Sequence, residues 1–312
     1  MRAVTRRLDV TIDLNDVAGG DGYLFVRNGV GVAARGVAAR VPYDDVPRVL
    51  ESIEHDDGGS GAAGPVAVGV LPFLPGSSVD LVIPSAVVRK SADGCAWMTL
   101  IDDAVQPSAA PRPSPCASSF EIRPAVDVDH YLRAVEAARD AVRTGDLVKA
   151  VIARPIVVTS DQPIDVHAVL RRLRASFGSS YRYSVDGFIG ASPELLVEVD
   201  GETIRSHPLA GTAPITGDLT IDAGLAADLI ASTKNQVEHR AVIEMVHDTL
   251  LPWCSYLDWE PEPSIVKVAN VQHLGSLVEG RLSNPAPNVL ELVRALSPTP
   301  AVGGHPRSPA LD

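Results

Sequence analysis

Apolar and polar positions alternate with a period of two over residues 23–27, 31–41, 66–73, 80–89 and 95–101, which predicts strands. One helix is predicted over residues 45–53, and the Gly- and Ala-rich stretch 58–65 reads as a loop. From residue 103 to 119 the chain turns rich in Pro, Ser and Ala, the composition of a surface connection. That seam divides the sequence into a strand-rich N-terminal subdomain, 1–119, and a second region, 120–312. No short fixed repeat is present, which argues against a solenoid.

Beyond the seam the period changes. Asp129 is placed to cap a helix whose Leu132, Val135, Arg139 and Val142 share a face, with Gly145 as its stop. A strand is predicted over 147–153, and Asp165 opens a helix that turns Val166, Val169, Leu170 and Leu173 inward. Residues 197–204 alternate across Asp200-Gly201, a two-residue hairpin turn. Helices are predicted over 223–232, 236–250 and 288–296, and one or two strands over 264–282. Strand blocks mixed with helices, without regular strand–helix alternation, predict an α+β architecture.

A chain of 312 residues with 46% hydrophobic content can bury a sizeable core. No apolar run approaches the ~18 residues of a membrane helix, and no signal segment follows Arg2, Arg6 and Arg7, so a cytoplasmic protein with no membrane partner is expected. Cys95, Cys116 and Cys254 are odd in number and far apart, which suggests neither a disulfide framework nor a zinc site. A net charge of -12 argues against nucleic acid. A small anionic substrate stays open if the site supplies local positive charge.

Two residues have the wrong polarity for their surroundings. Lys149 lies in a run, Leu147 to Ala153, that is otherwise apolar; a buried amine loses proton affinity and can act as a base near neutral pH. Glu194 enters a strand that continues Leu195-Leu196-Val197, where an unpaired carboxyl tends to stay protonated. On the residues alone, a lysine snorkelling from an edge and a solvated strand-edge glutamate are competing readings.

The segment FIGASPELLVEV, residues 188–199, followed by PLAGTA, 208–213, resembles the signature of the chorismate-utilising enzymes: isochorismate, salicylate, anthranilate and aminodeoxychorismate synthases. The likeness continues through KNQVEH at 234–239, QHL at 272–274 and SPTPAVGG at 297–304. It implies a chorismate-binding fold, a large antiparallel β-sandwich with helices outside. It also implies isochorismate synthase activity, with Lys149 as the base that activates water and Glu194 as the acid. Salicylate synthase and a catalytically inactive chorismate-binding remnant, acting as a ligand sensor or partner subunit, are the alternatives. Relatives using ammonia carry Gln at the lysine position, and aminodeoxychorismate synthases carry a reactive lysine where this chain has Ala210.

By the same resemblance Glu238 is a magnesium ligand, with Asn235 where some relatives have a second acid. His273 is expected near the substrate ring, a packed core histidine being the rival reading. Gly211 and Thr212 would offer an N–H and a hydroxyl to substrate oxygens. The family pattern continues past residue 312 with further strands and a second metal carboxylate. The expectation is therefore a C-terminally truncated fold, a monomer when full length, with little or no activity in the 312-residue chain alone.

Overall fold

The computed structural model describes residues 1–61, 63–111 and 119–311. The chain folds as two compact units. One takes Met1–Pro72, Gly76–Ala117 and Pro163–Pro193; the other takes Phe73–Pro75, Ser118–Gln162 and Glu194–Asp312. The expected division at 119/120 differs from this in two segments: Phe73–Pro75 belongs to the second unit, and the chain returns to the first unit between Pro163 and Pro193.

The first unit is built on an eight-stranded sheet in the order Phe188–Ser192, Tyr181–Val185, Tyr23–Arg27, Val30–Arg35, Ala86–Lys90, Ala96–Ile101, Arg2–Leu8, Glu54–Asp56. Two tight turns fix its register. Asn28-Gly29 and Asp186-Gly187 both take positive φ at both residues (51° and 78°; 47° and 84°), the twist that a two-residue hairpin needs. Short helices Leu14–Ala18 and Val166–Ser176 bring Leu14, Val17 and Leu170 against Leu24, Val26, Val88 and Met98, closing one core. The helix Val166–Ser176 is capped by Asp165, whose carboxylate accepts the Ala168 N–H, as its sequence suggests.

Several expected strands break where the backbone must turn. The run 31–41 divides at Gly36, φ 68°, into Val30–Arg35 and Ala39–Pro42, and 80–89 divides into Asp80–Ile83 and Ala86–Lys90. Ala39–Pro42 and Asp80–Ile83 leave the large sheet to pair with each other. Residues 66–73 form no strand, only a single bridge between Val68 and Val82. Arg2–Leu8, too charged to read as a strand, is one: its arginines point outward while Ala3 and Thr5 are buried, Thr5 Oγ1 lying 2.8 Å from Thr99 Oγ1.

The second unit holds two larger antiparallel sheets. One runs Leu195–Asp200, Thr203–His207, Val278–Leu282, Cys254–Trp259; the other Leu209–Pro214, Val271–Gly275, Ser264–Val268. The stretch 264–282 is thus three strands shared between two sheets. The long helix Thr233–Leu250, capped by Ser232, buries Ile243, Val246 and Leu250 against Ile204, Val278, Leu292 and Leu296. Asn288 and Glu291 form a capping box on Val289–Leu296.

Three expectations are corrected in this unit. The hairpin register pairs Asp200 with Thr203, so the turn residues are Gly201-Glu202, one position later than predicted; Gly201 supplies the positive φ of 59°. The first helix is Val128–Thr144 with Asp127 as its cap, because the Asp127 carboxylate accepts the Asp129 N–H. Its apolar face is not inward: Leu132, Val135 and Val142 are 50%, 37% and 40% exposed. The strand expected over 147–153 shrinks to Lys149–Ala150, paired with Gly304–His305, and its neighbours Val148 and Val151 are exposed.

Candidate active site

The candidate site belongs to the second unit, and its centre is Lys149. The Lys149–Ala150 ladder holds the amine half-buried. Burial lowers its proton affinity, while the carboxylates of Glu238 and Glu194 pull it back up. The two acids therefore lie within electrostatic reach of one lysine, although they come from different elements.

Glu194 sits where the chain enters Leu195–Asp200, beside the first residue of Leu209–Pro214. Burial pushes its carboxyl up to about 7, and neither the Leu209 N–H that it accepts nor the charge of Lys149 cancels that effect. Around neutral pH a substantial fraction of Glu194 is a protonated acid, and Lys149 is a weakened ammonium. These are the opposed displacements that separate an acid from a base within one site.

Glu238 lies on the second turn of Thr233–Leu250, its side chain 30% exposed and its Oε1 3.7 Å from Lys234 Nζ. Among the described residues no group of three or more His, Cys, Asp or Glu side chains is placed to hold a metal. The donors fit an ion that takes one protein carboxylate and fills its remaining positions with water and substrate oxygens, as magnesium does. They do not form a closed cage.

The Gly-Thr corner is shaped by a bulge in Leu209–Pro214, where the register slips between Ala210 and Thr212. Gly211 takes φ 79° at the slip, and a Cβ there would lie 3.4 Å from Asn235 Cβ on the first turn of the Glu238 helix. The positive φ, not lack of space beside the helix, is what favours glycine here. Thr212 pairs with His273 across the ladder, Oγ1 3.0 Å from Nδ1. Burial lowers the proton affinity of His273, and the Gly211 carbonyl beside it works the other way.

The structure thus couples Lys149, Glu194 and Glu238 electrostatically and joins Gly211, Thr212 and His273 at one corner packed on the Glu238 helix. Sequence reasoning did not single out His239 as a site residue. It is buried behind Glu238, Nε2 3.0 Å from Ser276 Oγ, and burial drops its pKa to about 4, with His207 and Lys149 adding repulsion. A histidine adjacent to a glutamate on an otherwise apolar helix face was the available signal. Its link to Ser276, 37 positions later, was not legible.

Residues 85–312 match the family described as chorismate binding enzyme. Isochorismate synthase DhbC of Bacillus subtilis is 31% identical over 297 residues, covering 89% of this chain and 72% of that protein. Isochorismate synthase EntC of Escherichia coli K12 is 32% identical over 269 residues, covering 84% of this chain and 66% of that protein. Among solved structures, MenF of Escherichia coli, a menaquinone-specific isochorismate synthase, shares the fold with a TM-score of 0.81 at 24% identity, over 99% of this chain and 77% of that one.

Proposed function

The chain belongs to the chorismate binding enzyme family, and from that premise we propose that it converts chorismate to isochorismate. The reaction adds water at one ring carbon and expels a hydroxyl from another. Water is a poor nucleophile and hydroxide a poor leaving group, so the site must take one proton and give another. Neutral Lys149 takes the proton of the attacking water, and protonated Glu194 delivers one to the departing hydroxyl, which leaves as water. Proton exchange with solvent then restores both groups. The observation that carries this assignment is the pairing of a half-buried, weakened Lys149 with a Glu194 held at about 7 in its field.

Glu238 is the proposed magnesium ligand, and when bound the ion would supply positive charge for a substrate carboxylate. Gly211 and Thr212 offer an N–H and a hydroxyl to substrate oxygens, and His273 lies against the ring, held by its contact with Thr212. The proposal includes a monomeric protein in the cytoplasm, whose product feeds menaquinone or siderophore formation. The family's β-sandwich with outer helices is part of it too, supported by the antiparallel ladders inside the second unit.

The test is incubation of the 312-residue protein with chorismate and magnesium, followed by product chromatography and fluorescence. A non-fluorescent isochorismate peak that depends on Lys149 is the expected result, in place of the inactivity that the resemblance implied for the 312-residue chain. A fluorescent salicylate product would replace the proposal with its closest rival. No turnover of chorismate would overturn it for this chain.

A further inference from the structure

His239 takes no part in the proposed reaction, yet it neighbours the groups that do. It follows Glu238 on the helix Thr233–Leu250, is 1% exposed, and feels the charges of Lys149 and His207. Its Nε2 lies 3.0 Å from Oγ of Ser276, which is itself completely buried. Its Nδ1 is buried as well and has no partner among the described residues. Without accessible surface, that nitrogen meets neither solvent nor substrate, so the polar influence of the ring passes through Ser276.

Burial keeps the ring neutral around pH 7, so a single proton is shared out between two nitrogens. On Nδ1 that proton would make a stranded donor, which folded proteins rarely leave buried. On Nε2 it is donated to Ser276 Oγ, and no ring N–H is left unpaired.

Ser276 directly follows the strand Val271–Gly275, which brings His273 to Thr212. In the same ladder Gly275 pairs with Leu209, whose N–H is accepted by Glu194. That pairing has no slack: a Cβ on Gly275 would lie 2.7 Å from Val266 Cγ2, 2.8 Å from Leu209 Cδ2 and 2.9 Å from His207 Nε2. A shift of Ser276 is therefore passed on to Leu209 and its neighbours. One hydrogen bond thus joins the helical turn that bears Glu238 to the strands that present His273 and the donor of Glu194.

We propose that His239, in its Nε2–H form, is a positioning residue: its bond to Ser276 sets the Glu238 carboxylate relative to Glu194 and His273. The inference rests on the proposed reaction for the role of Glu238 as a metal ligand, while the tautomer and the bond are read without turnover.

Protein carrying isotope-labelled histidine, measured by two-bond proton–nitrogen correlation around neutral pH and assigned with His239→Gln, should show His239 protonated at Nε2. A proton on Nδ1 overturns the proposal. Manganese, standing in for magnesium, is titrated by electron paramagnetic resonance, beside KM and kcat for chorismate. His239→Leu and Ser276→Ala should each weaken manganese binding about tenfold, the usual effect of losing a group that orients a metal ligand. Both should raise KM more than they lower kcat, since the ion would hold a substrate carboxylate. The double variant should be no weaker than the weaker single one, because both remove the same bond. His239→Gln, whose amide can donate in place of Nε2–H, should keep most of the affinity. Losses that multiply in the double variant overturn the proposal, as does Gln failing like Leu. So does a fall in melting temperature with manganese affinity and KM unchanged; Ser276→Ala, the smaller change, decides this if His239→Leu does not fold. A parent chain that binds manganese with this dependence but does not convert chorismate supports the positioning role and sinks the reaction. One that binds no manganese up to ~5 mM overturns the inference and the metal assignment together.

Discussion

Glu194 and Lys149 owe their altered proton affinities to the same cause, removal from water, with opposite results for an acid and a base. For Glu194 the folded-state value of about 7 stands above the ordinary 4.5, so the folded protein binds more protons than the unfolded chain between those two pH values. Stability should therefore fall as pH rises through that window, by about 3 kcal/mol at most, and level off above it. Glu194→Gln should flatten the dependence; urea midpoints measured from pH 4 to 8 decide, and an unchanged slope would mean that Glu194 is not the group responsible. The same ionisation should remove the acid from the reaction, so kcat/KM should decline above about pH 7. Lys149→Ala should lower turnover by roughly 10²- to 10⁴-fold with little change in KM, the range for a general base. Glu238→Ala should raise the magnesium concentration needed for half-maximal rate while leaving the urea midpoint nearly unchanged. Its carboxylate is partly exposed and its contact with Lys234 is a surface ion pair.

At the level of elements, the bulge at Gly211 ties the Gly-Thr corner to the Glu238 helix. Gly211→Ala would place a side chain at φ 79°; its Cβ would make ordinary contact with Asn235 at 3.4 Å, so the strain lies in the backbone. We expect a loss of about 1–2 kcal/mol in stability, read from the urea midpoint, together with weaker chorismate binding. An alanine variant as stable and active as the parent would show that the corner tolerates a side chain in this conformation. Much of this scale was legible in sequence because it is written locally. The Asp165 cap, the helix over residues 288–296 and the Gly145 stop, φ 86°, depend on residues a few positions apart. What was not legible depends on distant partners. Lys149 was read as buried because its neighbours are apolar, yet Val148 and Val151 are exposed. Its half-buried state does not come from those neighbours, and the charges that act on it, Glu194 and Glu238, lie far along the chain. The helix Val128–Thr144 misled for the same reason: periodicity predicts an apolar face, not whether anything covers it.

At the scale of the whole molecule, the second unit carries exposed apolar surface on several neighbouring stretches of sequence. Phe120, Ile122, Ile156 and Val158 on the paired strands Phe120–Pro124 and Ile156–Ser160 are 60%, 68%, 54% and 43% exposed, in addition to Leu132 and Val135. Hydrophobic dye binding and concentration-dependent association of the 312-residue chain are the expected consequences. A dye-silent protein, monomeric at all concentrations, would show that this surface is too dispersed to act. The first unit makes a different demand. Its interior strand Tyr23–Arg27 is flanked on one side by Val30–Arg35 and on the other by Tyr181–Val185, more than 150 positions away. A fragment ending at residue 119 lacks that neighbour and should show no cooperative unfolding transition. As the chain leaves the ribosome, the sheet begun by the first hundred residues cannot be completed until Ser192 has been made. The segment 119–162 is synthesised in between, with its apolar strands and helix uncovered. The half-made sheet meanwhile presents Tyr23–Arg27 as an open edge. A nascent chain in that condition is a ready client for holding chaperones, and slower translation would prolong its exposure to them.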